Sequence, residues 1–116
     1  MMTEPKSVNI LGTKIQILFR KEKDDPKLEE ANGYFDATKD LIVVKIIEPD
    51  KMSMGDLEKY QKKVLRHEII HAFLHGSGLD WCSCGTDSWA NNEEMVDWFA
   101  IQSPKILKVF QELGVA

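Results

Sequence analysis

The chain has 116 residues, 43% of them hydrophobic, which is enough apolar material for one core and too little for two sizeable domains. Lys and Arg number 15 against 19 Asp and Glu, a formal charge of −4, and no basic run lies along a helix face. That balance excludes an electrostatic footprint for nucleic acid, and no apolar run nears the roughly 20 residues that span a bilayer.

The first residues, MMTEPKSVNILG, carry no basic segment followed by an apolar one, so the expectation is a cytoplasmic protein without a secretory leader. One domain over residues 1–116 is expected, with residues 1–7 polar and loose. From Val8 to Phe19 apolar residues alternate with polar ones, and Gly12 marks a turn between two short strands. Lys21 to Asn32 is charged, contains Pro26 and reads as a solvated loop or short helical turn. Asn32-Gly33 is a further turn signal. Tyr34 and Phe35 open a strand, Ala37 to Asp40 turn it, and Leu41 to Ile47 form an apolar run long enough for a buried central strand that Glu48-Pro49-Asp50 ends.

Helical spacing begins near Ser53, with Ser53 or Asp56 as cap, and runs through Leu57, Tyr60, Val64, Ile69, Ile70, Phe73 and Leu74 until Gly76 and Gly78 stop it. About a dozen loop residues follow, with Trp81, Cys82 and Cys84. The two cysteines are too close for an unstrained disulfide and lack zinc-pair spacing, so they read as reduced loop thiols. A second helix starts near Ala90 or Asn91. Ser103-Pro104 is expected to break or kink it, with a fresh helix from Lys105 to Leu113 stopped by Gly114. Strands followed by helices predict an α+β domain: a small antiparallel or mixed sheet packed on one helix and a C-terminal helix pair.

The chemistry concentrates in His67-Glu68-Ile69-Ile70-His71. On a helix, positions four apart share a face with Cβ atoms ~5–6 Å apart, so two imidazoles can converge on one zinc ion. Glu68 is turned ~100° from His67 and can reach a metal-bound water. A catalytic zinc needs a third protein ligand. A downstream Gly-x-x-His is absent, because Leu74 and Ser77 occupy those positions. His75 would have to reach back along its own helix and is better explained as a polar residue at a helix end. Glu93 and Asp97, four apart on the next helix, can supply a ligand and an acceptor for a histidine ring N–H. Glu94, the alternative ligand, fits equally as the partner of an Asn91 cap.

These residues resemble the gluzincin metallopeptidases, which pair His-Glu-x-x-His with Asn-Glu-x-x-x-Asp on the following helix; here the second element is Asn92-Glu93-Glu94-Met95-Val96-Asp97. The segments Leu65 to Leu74 and Asn92 to Ala100 look most like the small phage- and prophage-encoded peptidases related to the ImmA/IrrE group, with Val96 where that group has alanine. The resemblance covers roughly residues 60–105. It implies a minimal zincin-like fold holding one zinc ion on His67, His71 and Glu93, with Glu68 as catalytic base, Asp97 supporting a zinc histidine and Asn92 a weaker candidate for the other. It also implies a protein or peptide substrate aligned on the sheet edge near Tyr34–Ile47, with neither nucleic acid nor membrane as partner. Tyr34, Tyr60 and His75 are the available oxyanion stabilisers, each better explained as structural. The competing reading is a catalytically silent, zinc-stabilised protein-interaction module. Trp81, Trp89 and Trp98 are expected in the core rather than in a pocket. Oligomeric state is not legible.

Overall fold

The structure, a computed structural model, describes residues 1–49, 55–82 and 88–116. Ser53 as a cap, Asp50 as a strand end and Cys84 lie outside the described residues; Cys82 is a free, exposed thiol. The fold is α+β, a four-stranded mixed sheet with helices. Strands β1 (Lys6–Ile10) and β2 (Thr13–Arg20) form an antiparallel hairpin whose turn holds Leu11 and Gly12 at positive φ, a conformation Gly12 takes without penalty. Strands β3 (Gly33–Asp36) and β4 (Leu41–Lys45) form a second hairpin, and β4 pairs parallel to β2, so the order is β1-β2-β4-β3.

β4 is internal, and this explains its unbroken apolar run. Ile42 and Val44 face one side with Ile15, Ile17 and Phe19; Leu41 and Val43 face the other with Leu28. A strand covered on both faces has no solvent side on which to place polar residues. The strand ends at Lys45, but Ile46 N–H still donates to Arg20 O at 2.8 Å.

Helix α1 (Leu57–Gly76) crosses the first face. Asp56 caps it by accepting from Lys59 N–H at 2.9 Å. Gln61, Val64, Glu68 and Ala72 recur at helical spacing and are all buried, with Val64 and Ala72 in the sheet's core cluster. Gln61 is satisfied by an exchange with the backbone of Met2, whose N–H donates to Oε1 and whose carbonyl accepts from Nε2, both at 2.8 Å. The N-terminal segment expected to be loose is therefore pinned at Met2 and extended from Lys6.

The other sheet face is closed by two single-turn 3₁₀ helices, Glu22–Asp24 and Pro26–Glu29. Buried Asp25 organises this layer. It accepts from Lys27 N–H and Arg20 Nη1, each at 3.1 Å, and from the hydroxyl of Tyr34 on β3. These bonds, the one from Tyr34 foremost, hold the Asp25 carboxyl below its ordinary range, while burial and the Asp25 bond push the Tyr34 hydroxyl up to about 12.

After the short helix α2 (Leu79–Cys82) and a 3₁₀ turn at Trp89–Asn91 comes α3 (Glu93–Glu112), one helix that contains Pro104. The expected break at Ser103-Pro104, and with it the C-terminal helix pair, is replaced by continuation. Pro104 has no N–H for the carbonyl of Ala100, four residues back. Arg66 of α1 donates its Nε–H to that same carbonyl at 2.6 Å. A cation from another helix thus satisfies the acceptor that the proline strands, at a residue with no exposed surface. Trp81, Trp89 and Trp98, expected inside, are 79, 56 and 53% exposed, while Ala90, Val96 and Ala100 are buried.

Arg66→Ala is expected to cost about 1–3 kcal/mol in urea unfolding, the range for a hydrogen bond to a charged group whose buried partner is left bare. In a Pro104→Ala background the same change is expected to cost less, because residue 104 regains the N–H. Asp25 has its folded pKa depressed, so its contribution is present above the unfolded carboxyl pKa of ~4 and lost as pH falls through the folded value. Asp25→Asn is expected to lower stability at neutral pH and to flatten the loss seen on acidification, measured by thermal melts from pH 7 to pH 2. The Tyr34 contribution has the opposite sign: its pKa is raised, so it persists below ~10 and fades through about 12.

Candidate metal centre

α1 turns three faces to three surroundings. One stripe lies on the sheet. Ile70 and Leu74 meet Ala90 of the 3₁₀ turn and Met95 and Val96 at the start of α3. Between these faces, Lys63, His67 and His71 line a groove of about 460 Å³ that runs under β3. Packing of Val96 and the Arg66–Ala100 bond bring the opposing face of α3, with Glu93 and Asp97, onto the histidines.

The Nε2 atoms of His67 and His71 stand 3.2 Å apart. Glu93 reaches both, Oε2 to His67 Nε2 at 3.2 Å and Oε1 to His71 Nε2 at 2.8 Å. Asp97 Oδ1 lies 3.2 Å from His67 Nδ1 and 2.9 Å from Lys63 Nζ. Lys63, with burial opposing, holds the Asp97 carboxyl below its usual range, so Asp97 is an acceptor and His67 donates Nδ1–H to it. His67 Nε2 then faces the second imidazole and a carboxylate. Burial draws His71 below its ordinary pKa against the pull of Glu93, which favours the neutral ring. The facing atoms of His67, His71 and Glu93 stand 2.8–3.2 Å apart, and ligand pairs on a tetrahedral ion with ~2.0–2.1 Å bonds lie about 3.3 Å apart. His67, Glu68 and His71 form a group whose ligand atoms lie within 4.8 Å of one another and which can hold a metal ion.

Glu68 occupies a core position. It is 6% exposed, on the sheet-facing stripe between Val64 and Ala72. Burial pushes its carboxyl up to about 7; the neighbouring His67 draws it down and Glu93 adds to the rise. A carboxylate where the pattern calls for an apolar side chain is costly unless it has work to do.

Gly33 makes room above it. A Cβ on Gly33 would meet Val64 Cγ1 at 2.8 Å, Val43 O at 3.0 Å and Glu68 Cγ at 3.5 Å. Of the Asn32-Gly33 pair, expected as a turn, Asn32 lies in a bend and Gly33 already starts β3, against α1. Lys45 N–H donates to Asn32 O at 2.9 Å, so the ladder's parity turns the N–H and C=O groups of Gly33 and Phe35 outward, to the open edge above the groove.

Other expected site residues are engaged elsewhere. Asn92 caps α3, accepting from Met95 N–H at 2.8 Å, and is thereby diverted from the histidine it was expected to support. Glu93 is the first residue of α3, and Glu94 follows it in the same first turn. His75 Nδ1 meets Asp80 Oδ2 at 2.8 Å, and its ring packs edge-on to Phe35 with centroids 5.8 Å apart. The Tyr34 hydroxyl is committed to Asp25; the Tyr60 hydroxyl lines the groove and accepts from Asn32 Nδ2 at 2.7 Å. Lys63 and Gly33 were not foreseen. Lys63 stands four residues before His67 on the same helical face, a spacing that could have drawn attention to it.

No family model, no curated protein and no solved structure matches the chain. No helix among the described residues is long and apolar enough to cross a membrane.

Gly33→Ala is expected to push β3 away from α1 or distort Glu68, lowering stability by about 1–3 kcal/mol, as overpacking does. Gly33→Ala combined with Val64→Ala, which removes the nearest atom, is expected to recover part of that loss. Urea unfolding of the single and double variants measures both.

Proposed function

We propose that the protein is a zinc-dependent peptidase in which His67, His71 and Glu93 hold the metal and Glu68 is the base. The observation that carries this reading is the convergence of two imidazole lone pairs and the Glu93 carboxylate beside a buried glutamate, in a groove under an open strand edge. The resemblance of His67–His71 and Asn92–Asp97 to the gluzincins, and of the flanking residues to the small phage-encoded ImmA/IrrE-like group, supports it.

A zinc ion there would supply Lewis acidity, lowering a water's pKa toward ~7 and polarising a carbonyl. The protein's own groups do the rest. Asp97 fixes the His67 ring and tautomer, and Lys63 holds Asp97. The outward groups of Gly33 and Phe35 pair with an extended peptide backbone and lay it along the groove. Glu68, within reach of the same space, accepts the proton of the attacking water and returns it to the departing amine nitrogen. Its apolar surroundings suit this shuttling, because the carboxylate and carboxylic acid are then close in free energy.

The test begins with zinc per chain, by elemental analysis after loosely bound metal is removed. One equivalent in the parent, lost in His67→Ala and His71→Ala, is the expected result. Glu68→Gln is expected to keep its zinc and to cleave a quenched-fluorescent peptide library about 10²–10⁴-fold more slowly than the parent. Absence of zinc even after resupply would sink the metal centre. Full activity in Glu68→Gln would remove the base assignment. Stoichiometric zinc without any cleavage would favour the interaction-module reading.

A further inference from the structure

Among the described residues, the C-terminal half of α3 is thinly covered, with Gln102, Ser103 and Ile106 half-buried and the rest exposed. Val96 and Ala100 are the buried residues of the helix, and beyond Ala100 none is buried. A free helix of about a dozen residues is marginal in water, more so with a proline in it. Yet this segment carries large apolar side chains in a regular pattern. Phe99, Ile106 and Leu113 recur at intervals of seven, with Val109 three residues after Ile106 and Phe110 beside it. Val109, Phe110 and Leu113 are 51, 46 and 71% exposed. In heptad terms Phe99, Ile106 and Leu113 take position a, Gln102 and Val109 take d, and Lys105 and Glu112 take the flanking g.

We propose that this stripe pairs with the same stripe of a second copy of the chain, the two α3 helices running antiparallel about a two-fold axis. Charge complementarity selects both occupant and direction. With Ile106 of each copy packed on Val109 of the other, Lys105 of each lies beside Glu112 of the other, and the symmetry forms that ion pair twice. Parallel in-register pairing would instead set Lys105 against Phe110 and leave both charges without a partner. The pairing also leaves the metal centre clear. Glu93 and Asp97 lie roughly 120–180° around the helix from the stripe, given 100° per residue. The pairing is independent of the peptidase reading.

Sedimentation equilibrium of the full chain over roughly two decades of concentration tests it. A dimer that dissociates on dilution is expected. Ile106→Glu is expected to abolish it while circular dichroism retains the parent's folded signal, and Leu113→Glu serves if the first variant fails to fold. Lys105→Glu is expected to weaken the dimer at least tenfold, and Lys105→Glu with Glu112→Lys to restore it. A monomer throughout, or a dimer indifferent to both Ile106→Glu and Leu113→Glu, would overturn the proposal. A dimer lost on Ile106→Glu but untouched by either charge reversal would overturn the antiparallel register.

Discussion

The close crossing of α1 over the sheet governs the rest of the structure. One helical stripe must be buried for α1 to stay on the sheet, and the third member of that stripe is Glu68. The fold therefore spends a core position on a carboxyl group, and Val64 and Ala72 on either side, with the sheet beneath, must hold the helix in place regardless. The approach is close because Gly33 has no side chain to hold the strand off. The same contact sets the height of the β3 edge above the histidines. Helix placement, the burial of Glu68 and the geometry of the open edge are thus one packing problem with one solution.

The histidine face is organised from the other side. α3 contributes Glu93 and Asp97 from a single face, and what seats that face is an ordinary apolar contact through Val96 together with the bond from Arg66. Asp97 is shared through one oxygen between a lysine and a histidine of α1. The lysine keeps the carboxylate ionised and the carboxylate orients the ring. Both donors come from α1 and the acceptor from α3, so the polar contacts and the apolar ones pull the two helices together along the same line.

Much of this was legible in the order of residues. The apolar run Leu41–Val44 announced an internal strand because only a strand covered on both faces tolerates it. His67, His71, Glu93 and Asp97 were legible because helical periodicity alone puts each pair on one face. What escaped notice depends on partners distant in sequence. Pro104 reads as a break until Arg66 is known to serve the carbonyl it strands. Gly33 reads as turn chemistry until Val64 is found against it. Asn92 fits either a cap or a histidine partner, and the local bond to Met95 wins because it needs no other element to be in place. Met2 looked loose because the polar group that holds it, Gln61, is on a helix 59 residues away.

The proline in α3 has a consequence for how the two helices are matched. A regular helix is nearly self-similar: sliding by one residue, a 1.5 Å step with a 100° turn, restores the same ladder of backbone bonds. Pro104 breaks that equivalence. It leaves one free carbonyl in the middle of the helix, and Arg66, the residue immediately before His67, takes hold of it. The two helices are keyed like a toothed joint with a single notch. A slip in either direction would carry Glu93 away from the histidines and at the same step leave Arg66 facing a carbonyl that already has its own N–H.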